Sequence, residues 1–161
     1  MTASLFELPV LVAAIGAFII AGVFYGFSTF IMQALARLPV AEGIRAMQSI
    51  NITVITPLFL GVFMGTALLL LVLAVAAALH LGRPGAPYVI LGAICYVFGC
   101  FVLTMWRNVP LNDALARVDP ESEQGATLWA RYLRDWTWWN HVRTFASFVA
   151  AVVLTYAWAI S

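Results

Sequence analysis

TVITPLFLGVFMGTALLLLVLAVAAAL, residues 53–79, is a run of 27 residues without a charged side chain. As a helix at about 1.5 Å per residue it would reach about 40 Å, enough for the roughly 30 Å hydrocarbon core of a bilayer. Hydrocarbon offers the backbone no hydrogen-bond partner, so a chain that crosses it closes its own bonds as a helix. Three further windows of the same character run from about Leu8 to Leu35, from Pro87 to Trp106 and from about Asn140 to Ile160.

The whole composition agrees. Hydrophobic residues make up 64% and charged residues 9% of the 161 residues, against about 45–50% and 25% in soluble domains. The expected fold class is an all-α integral membrane four-helix bundle, up-down-up-down, with short interfacial helices in the first and third links and a single domain over residues 1–161. The first window is too long, and lacks the basic leading region, to be a cleaved signal peptide. A net charge of +1 without any lysine gives no patch for nucleic acid. Cys95 and Cys100 fall about 140° apart on a helix and read as small packing residues.

The links have their own signals. In the first, Arg37 to Asn51, Pro39 starts a short helix whose apolar face is Ile44, Met47 and Ile50. The second, His80 to Ala86, is a Gly/Pro turn. The third, Arg107 to Trp139, is long, and Asp119-Pro120 reads as a helix N-cap with proline at the first position. Six arginines lie in the first and third links and one in the second. The positive-inside rule then makes the first and third links cytoplasmic and the termini external, in a bacterial inner membrane. Gly22/Gly26 and Gly61/Gly65 are small-xxx-small pairs, read first as bundle-packing faces and second as homo-oligomer faces.

Polar chemistry gathers at the end that carries those two links. Trp136-Thr137-Trp138-Trp139-Asn140-His141-Val142-Arg143 leads into the last span. The first helix brings Tyr25, Ser28 and Thr29, the second Asn51, and the third Thr104 and Asn108. His141 is the candidate general base, since imidazole titrates near neutral pH. The plainer readings stand beside these: a tryptophan belt at the interface, an idle His141, Arg143 snorkelling to headgroups, asparagines as interhelical glue. Metal sites are disfavoured, because His80 and His141 fall at opposite ends and no carboxylate lies inside a span. Nor is there a phosphate loop, a Ser-His-acid set, or the repeats of a transporter.

Asn108-Val109-Pro110-Leu111-Asn112-Asp113-Ala114-Leu115, the Trp136 to Thr144 stretch and Gly22-Val23-Phe24-Tyr25-Gly26-Phe27-Ser28-Thr29-Phe30 together resemble the DUF1772 family of four-helix membrane proteins, which includes fungal anthrone oxygenases. The resemblance covers nearly the whole chain. It implies oxidation of a lipophilic polycyclic aromatic by O2, anthrone to anthraquinone in type, with O2 as co-substrate and neither metal nor flavin. It further implies functional roles for Asn108, Asn112, Asn140 and Arg143. The full expected site is then His141, Arg143, Asn140 and Asn108 as catalytic residues, with Tyr25, Ser28, Thr29, Asn51, Thr104, Asn112, Trp136 and Trp139 around the substrate. The alternative is a non-catalytic membrane protein that binds a quinone-like lipophilic ligand or docks a larger membrane partner. The expected partners are the lipid bilayer and a lipophilic aromatic molecule, with no nucleic acid.

Overall fold

The structure is a computed structural model that describes residues 7–161; residues 1–6 of the expected domain lie outside the described residues. Five helices follow one another: α1 (Glu7–Leu35), α2 (Val40–Thr53), α3 (Pro57–Ala78), α4 (Ala86–Ala116) and α5 (Glu123–Ala159). All but α2 are long and apolar enough to span a membrane. The chain is a multi-pass membrane protein. Each span packs against the next, and α1 against α5 closes the ring, which is the up-down-up-down order.

Two helices run further than the sequence suggested. The third span continues past Trp106 to Ala116, and the helix expected to start at Asp119 runs without a break into the fourth span. What remains of the third link is residues 117–122. The N-cap is Ser122, whose Oγ accepts from Gly125 N at 3.0 Å. Asp119 instead holds the preceding turn, its Oδ1 accepting from Glu121 N at 3.0 Å. Its carbonyl oxygen would stand 2.5 Å from a Cβ on Gly125, so the chain must finish that turn before the helix begins. At the head of α3, Thr56 Oγ1 accepts from Phe59 N at 3.2 Å, with Pro57 at the first helical position.

The core has two parts. The first fills the ring of spans, with small residues on α1 (Ala13, Ala17) and α5 (Ala150, Ala151) that let those helices approach. The second lies at the polar end, where α2 folds over α5. There Ile44 and Met47 meet Leu115, Trp129, Tyr132 and Trp136. Gln48 fastens this cap by donating to the carbonyls of Leu115 (2.8 Å) and Val118 (3.3 Å). The tryptophan belt is therefore only partial. Trp106 and Trp138 face outward, whereas Trp129 and Trp136 are each 3% exposed.

The packing role expected of the glycine pairs is corrected for three of the four glycines; Gly26 is buried. Gly22, Gly61 and Gly65 face outward, with open space where a Cβ would stand. The inward stripe of α3 is Phe63, Thr66, Ala67 and Leu70, which leaves Gly61 and Gly65 on the other side. Close approach occurs elsewhere, as at Gly92, where a Cβ would come within 2.7 Å of Leu154 Cγ. Gly92→Ala is expected to cost about 1–3 kcal/mol by overpacking, while Gly61→Ala and Gly65→Ala do not lower the melting temperature in detergent and raise it slightly, alanine being the better helix former. Thermal unfolding of the three variants checks both halves.

Candidate functional site

From Tyr132 onward the inward face of α5 is Tyr132, Trp136, Asn140, Arg143 and Ser147, a stripe at helical spacing. Arg143 is 4% exposed. Its Nε and Nη2 donate to Asn140 Oδ1 at 2.9 and 2.7 Å, and Nη1 donates to Thr104 Oγ1 at 3.3 Å. Three of five guanidinium N–H groups are thus used, leaving two. The ion pairs Arg45–Glu121, Arg131–Asp135 and Arg134–Asp135 do not involve Arg143. Its charge is met by ring faces instead, with Phe24 at 3.8 Å and Trp136 at 4.8 Å from the guanidinium carbon. A buried cation with no carboxylate is costly to keep, so its presence calls for an explanation.

Arg143 lines a cavity of about 350 Å³ between α1, α2, α3, α4 and α5, within the roughly 300–1,000 Å³ range of small-molecule sites. Its walls are aromatic. Phe59 and Phe63 stack at 5.8 Å, Phe101 lies 5.2 Å from Phe63, and Phe27 meets Trp136 edge-on at 5.5 Å. Polar groups enter from one end. Asn112 Oδ1 accepts from both Tyr132 Oη and Trp136 Nε1 at 2.7 Å. Asn51 Nδ2 is buried beside the Tyr132 hydroxyl, without a hydrogen bond of proper geometry. Wide π-helical turns occur at Phe27–Ile31, Val97–Val102 and Thr104–Asn108. Such turns are rare and gather at functional sites; here they hold Phe27, Phe101 and Thr104 against the cavity.

The structure divides the expected site into two. Asn51, Thr104, Asn112, Trp136 and Arg143 line the inner cavity. Tyr25, Ser28, Thr29 and His141 line a separate groove between α1 and α5. His141 and Arg143 are two residues apart, about 200° around a helix, so they face opposite ways. Asn140 stands between. Fully buried, it accepts from Arg143 and donates through Nδ2 to Ser28 Oγ (2.7 Å) and to the Phe24 carbonyl (2.8 Å). Asn108 is also fully buried, but it donates to the Trp136 carbonyl at 3.1 Å and lines neither space, its Oδ1 without a partner. Trp139 stacks on Arg107 at 4.7 Å, outside both. The phenylalanine walls were not singled out in the sequence, although Phe24 lies four residues before Ser28 on one helical face.

The family model described as anthrone oxygenase matches residues 59–153, more than half of the chain. The chain belongs to the anthrone oxygenase family. No curated protein and no solved structure matches it. The segment shared with the anthrone oxygenase family carries Phe59, Phe63, Phe101, Thr104, Asn112, Trp136, Asn140 and Arg143. It thus contains the cation, its partners and most of the aromatic wall; Phe24 and Phe27 of α1 lie before it.

Proposed function

We propose that the protein oxidises a flat, lipid-soluble polycyclic aromatic of the anthrone type with O2, in the inner cavity. The observation that carries this reading is Arg143, a buried cation with free N–H donors and no carboxylate partner, set in an aromatic chamber. An anthrone holds an acidic methylene between two aryl rings. When it loses a proton to water or hydroxide, the charge settles largely on the carbonyl oxygen across the ring, as an enolate. A fixed guanidinium in a water-poor site stabilises that oxyanion, and so lowers the cost of forming it. Asn112 and Asn51 stand at the same polar end of the cavity.

The enolate supplies the electrons itself. It reduces O2, and a C–O bond forms at the former methylene to give a hydroperoxide. Loss of the second proton from that carbon breaks the O–O bond, leaves the quinone carbonyl and releases water. One anthrone and one O2 give one anthraquinone and one H2O, so the reading needs neither metal nor flavin. The arginine-rich end, where α2 and the last link lie over the cavity, is read as the cytoplasmic one.

Turnover of anthrone under 18O2 by purified protein in detergent, with chelator present and the autoxidation background subtracted, is the test. One 18O per quinone and one O2 consumed per quinone formed are expected. No protein-dependent quinone would overturn the reading. Retention of the aromatic without O2 uptake would instead mark a binder of such rings.

A further inference from the structure

The groove between α1 and α5 is the larger of the two spaces, about 660 Å³, and shares no lining residue with the inner cavity. It opens on the outer, lipid-facing surface, where Tyr25 (60%) and Phe145 (70%) are exposed. Phe18, Phe145 and Phe148 form its apolar part, Phe18 and Phe148 meeting edge-on at 6.2 Å. Polar side chains gather at its other end. Three are already engaged: Ser28 and Thr144 hydrogen-bond each other at 3.1 Å, and Thr29 donates to the Tyr25 carbonyl at 2.8 Å. The Tyr25 hydroxyl and the His141 ring have no partner among the described residues.

That division decides what suits the groove. A lipid acyl chain would cover the phenylalanines but leave a phenol and an imidazole without hydrogen bonds beside hydrocarbon, which is unfavourable. Each of those two groups can donate or accept. A flat ring bearing one oxygen satisfies both ends, edge-to-face with the phenylalanines and hydrogen-bonded at the oxygen. We propose that the groove is a second small-molecule site, which takes a lipid-soluble aromatic ring carrying a phenolic hydroxyl or quinone carbonyl, with Tyr25 and His141 as the oxygen's partners. This site does not depend on the reaction proposed for the inner cavity.

The test is equilibrium binding of radiolabelled 2-methyl-1,4-naphthoquinone to the full chain in phosphatidylcholine nanodiscs. The Tyr25→Phe/His141→Leu variant is expected to raise the Kd of one class of site by about tenfold or more, the loss of at least one hydrogen bond to the ligand. Arg143→Met leaves that class as it was. Tyr25 and His141 have no partners to lose, so the variant should melt with the wild type. Gly22→Trp, which fills the groove from the side where Gly22 has open space, should abolish the same class. Wild-type binding by the Tyr25/His141 variant, or no binding by Arg143→Met because acyl chains hold the groove, would overturn the proposal.

Discussion

Arg143→Met is expected to lower kcat for anthrone oxidation on the order of 10²–10³-fold, the loss found when one preorganised oxyanion donor is removed. The fold should survive the change. Methionine nearly matches the arginine stem in length, it suits ring faces such as Phe24 and Trp136, and it removes a charge that is costly to bury. Activity and stability therefore move apart, which a merely structural arginine would not allow. Arg143→Lys keeps the charge but loses the planar fork that reaches Asn140 Oδ1 through two nitrogens; it should retain an intermediate rate. Steady-state kinetics beside thermal unfolding make the measurement. A kcat for Arg143→Met within threefold of wild type would remove the enolate role.

Asn140→Ala is the change expected to cost most stability, about 3 kcal/mol, because it strips a buried cation of two hydrogen bonds and bonds to charged groups are the costly ones to lose, at about 1.5–3 kcal/mol. The amide is saturated on both sides: its oxygen takes two bonds from Arg143, and its nitrogen gives one to Ser28 and one to the Phe24 carbonyl. Without it the guanidinium keeps one weak bond, to Thr104. The sign of the coupling makes this testable. In Asn140→Leu/Arg143→Met no cation is left stranded, so Arg143→Met should stabilise the Asn140→Leu background by about 2 kcal/mol more than it changes the wild type, on the order seen for residues in contact. Simple additivity would show that the two side chains do not support each other. Hydrogen bonds between membrane helices average well under 1 kcal/mol, so a loss near that value would mean the buried charge adds nothing.

Much of the fold was legible because hydrocarbon leaves the backbone few choices. The spans follow from runs such as residues 53–79, and α2 from Pro39 with Ile44, Met47 and Ile50. Helix ends were harder. Nothing in Arg107 to Trp139 says that both neighbouring helices extend into it, because Arg107, Asp113 and Arg131 look like link residues until α2 is seen to cover this end. The glycine pairs misled for a related reason: in lipid an outward glycine and an inward one carry the same local sequence. For the site, residue types were readable and their sides were not fully used. Asn140, Arg143 and Ser147 repeat at helical spacing, and the same arithmetic turns His141 away from them. What no spacing rule supplies is which face of α1 meets that stripe. Phe24 and Ser28 do, through the Asn140 bonds, while Tyr25 looks outward.

The unbroken 37 residues of α5 have a mechanical meaning. At about 1.5 Å per residue the helix is about 55 Å long, so roughly 25 Å of it must stand clear of a 30 Å hydrocarbon layer. No proline or glycine interrupts it between Gly125 and Ala159, and Arg143 sits 20 positions after its first residue. The projecting part and the guanidinium therefore form one stiff rod. Whatever leans on the exposed turns near Thr127 or Arg131, or changes how steeply the rod tilts as the bilayer thins or thickens, acts on Arg143 directly, with no joint between to absorb it.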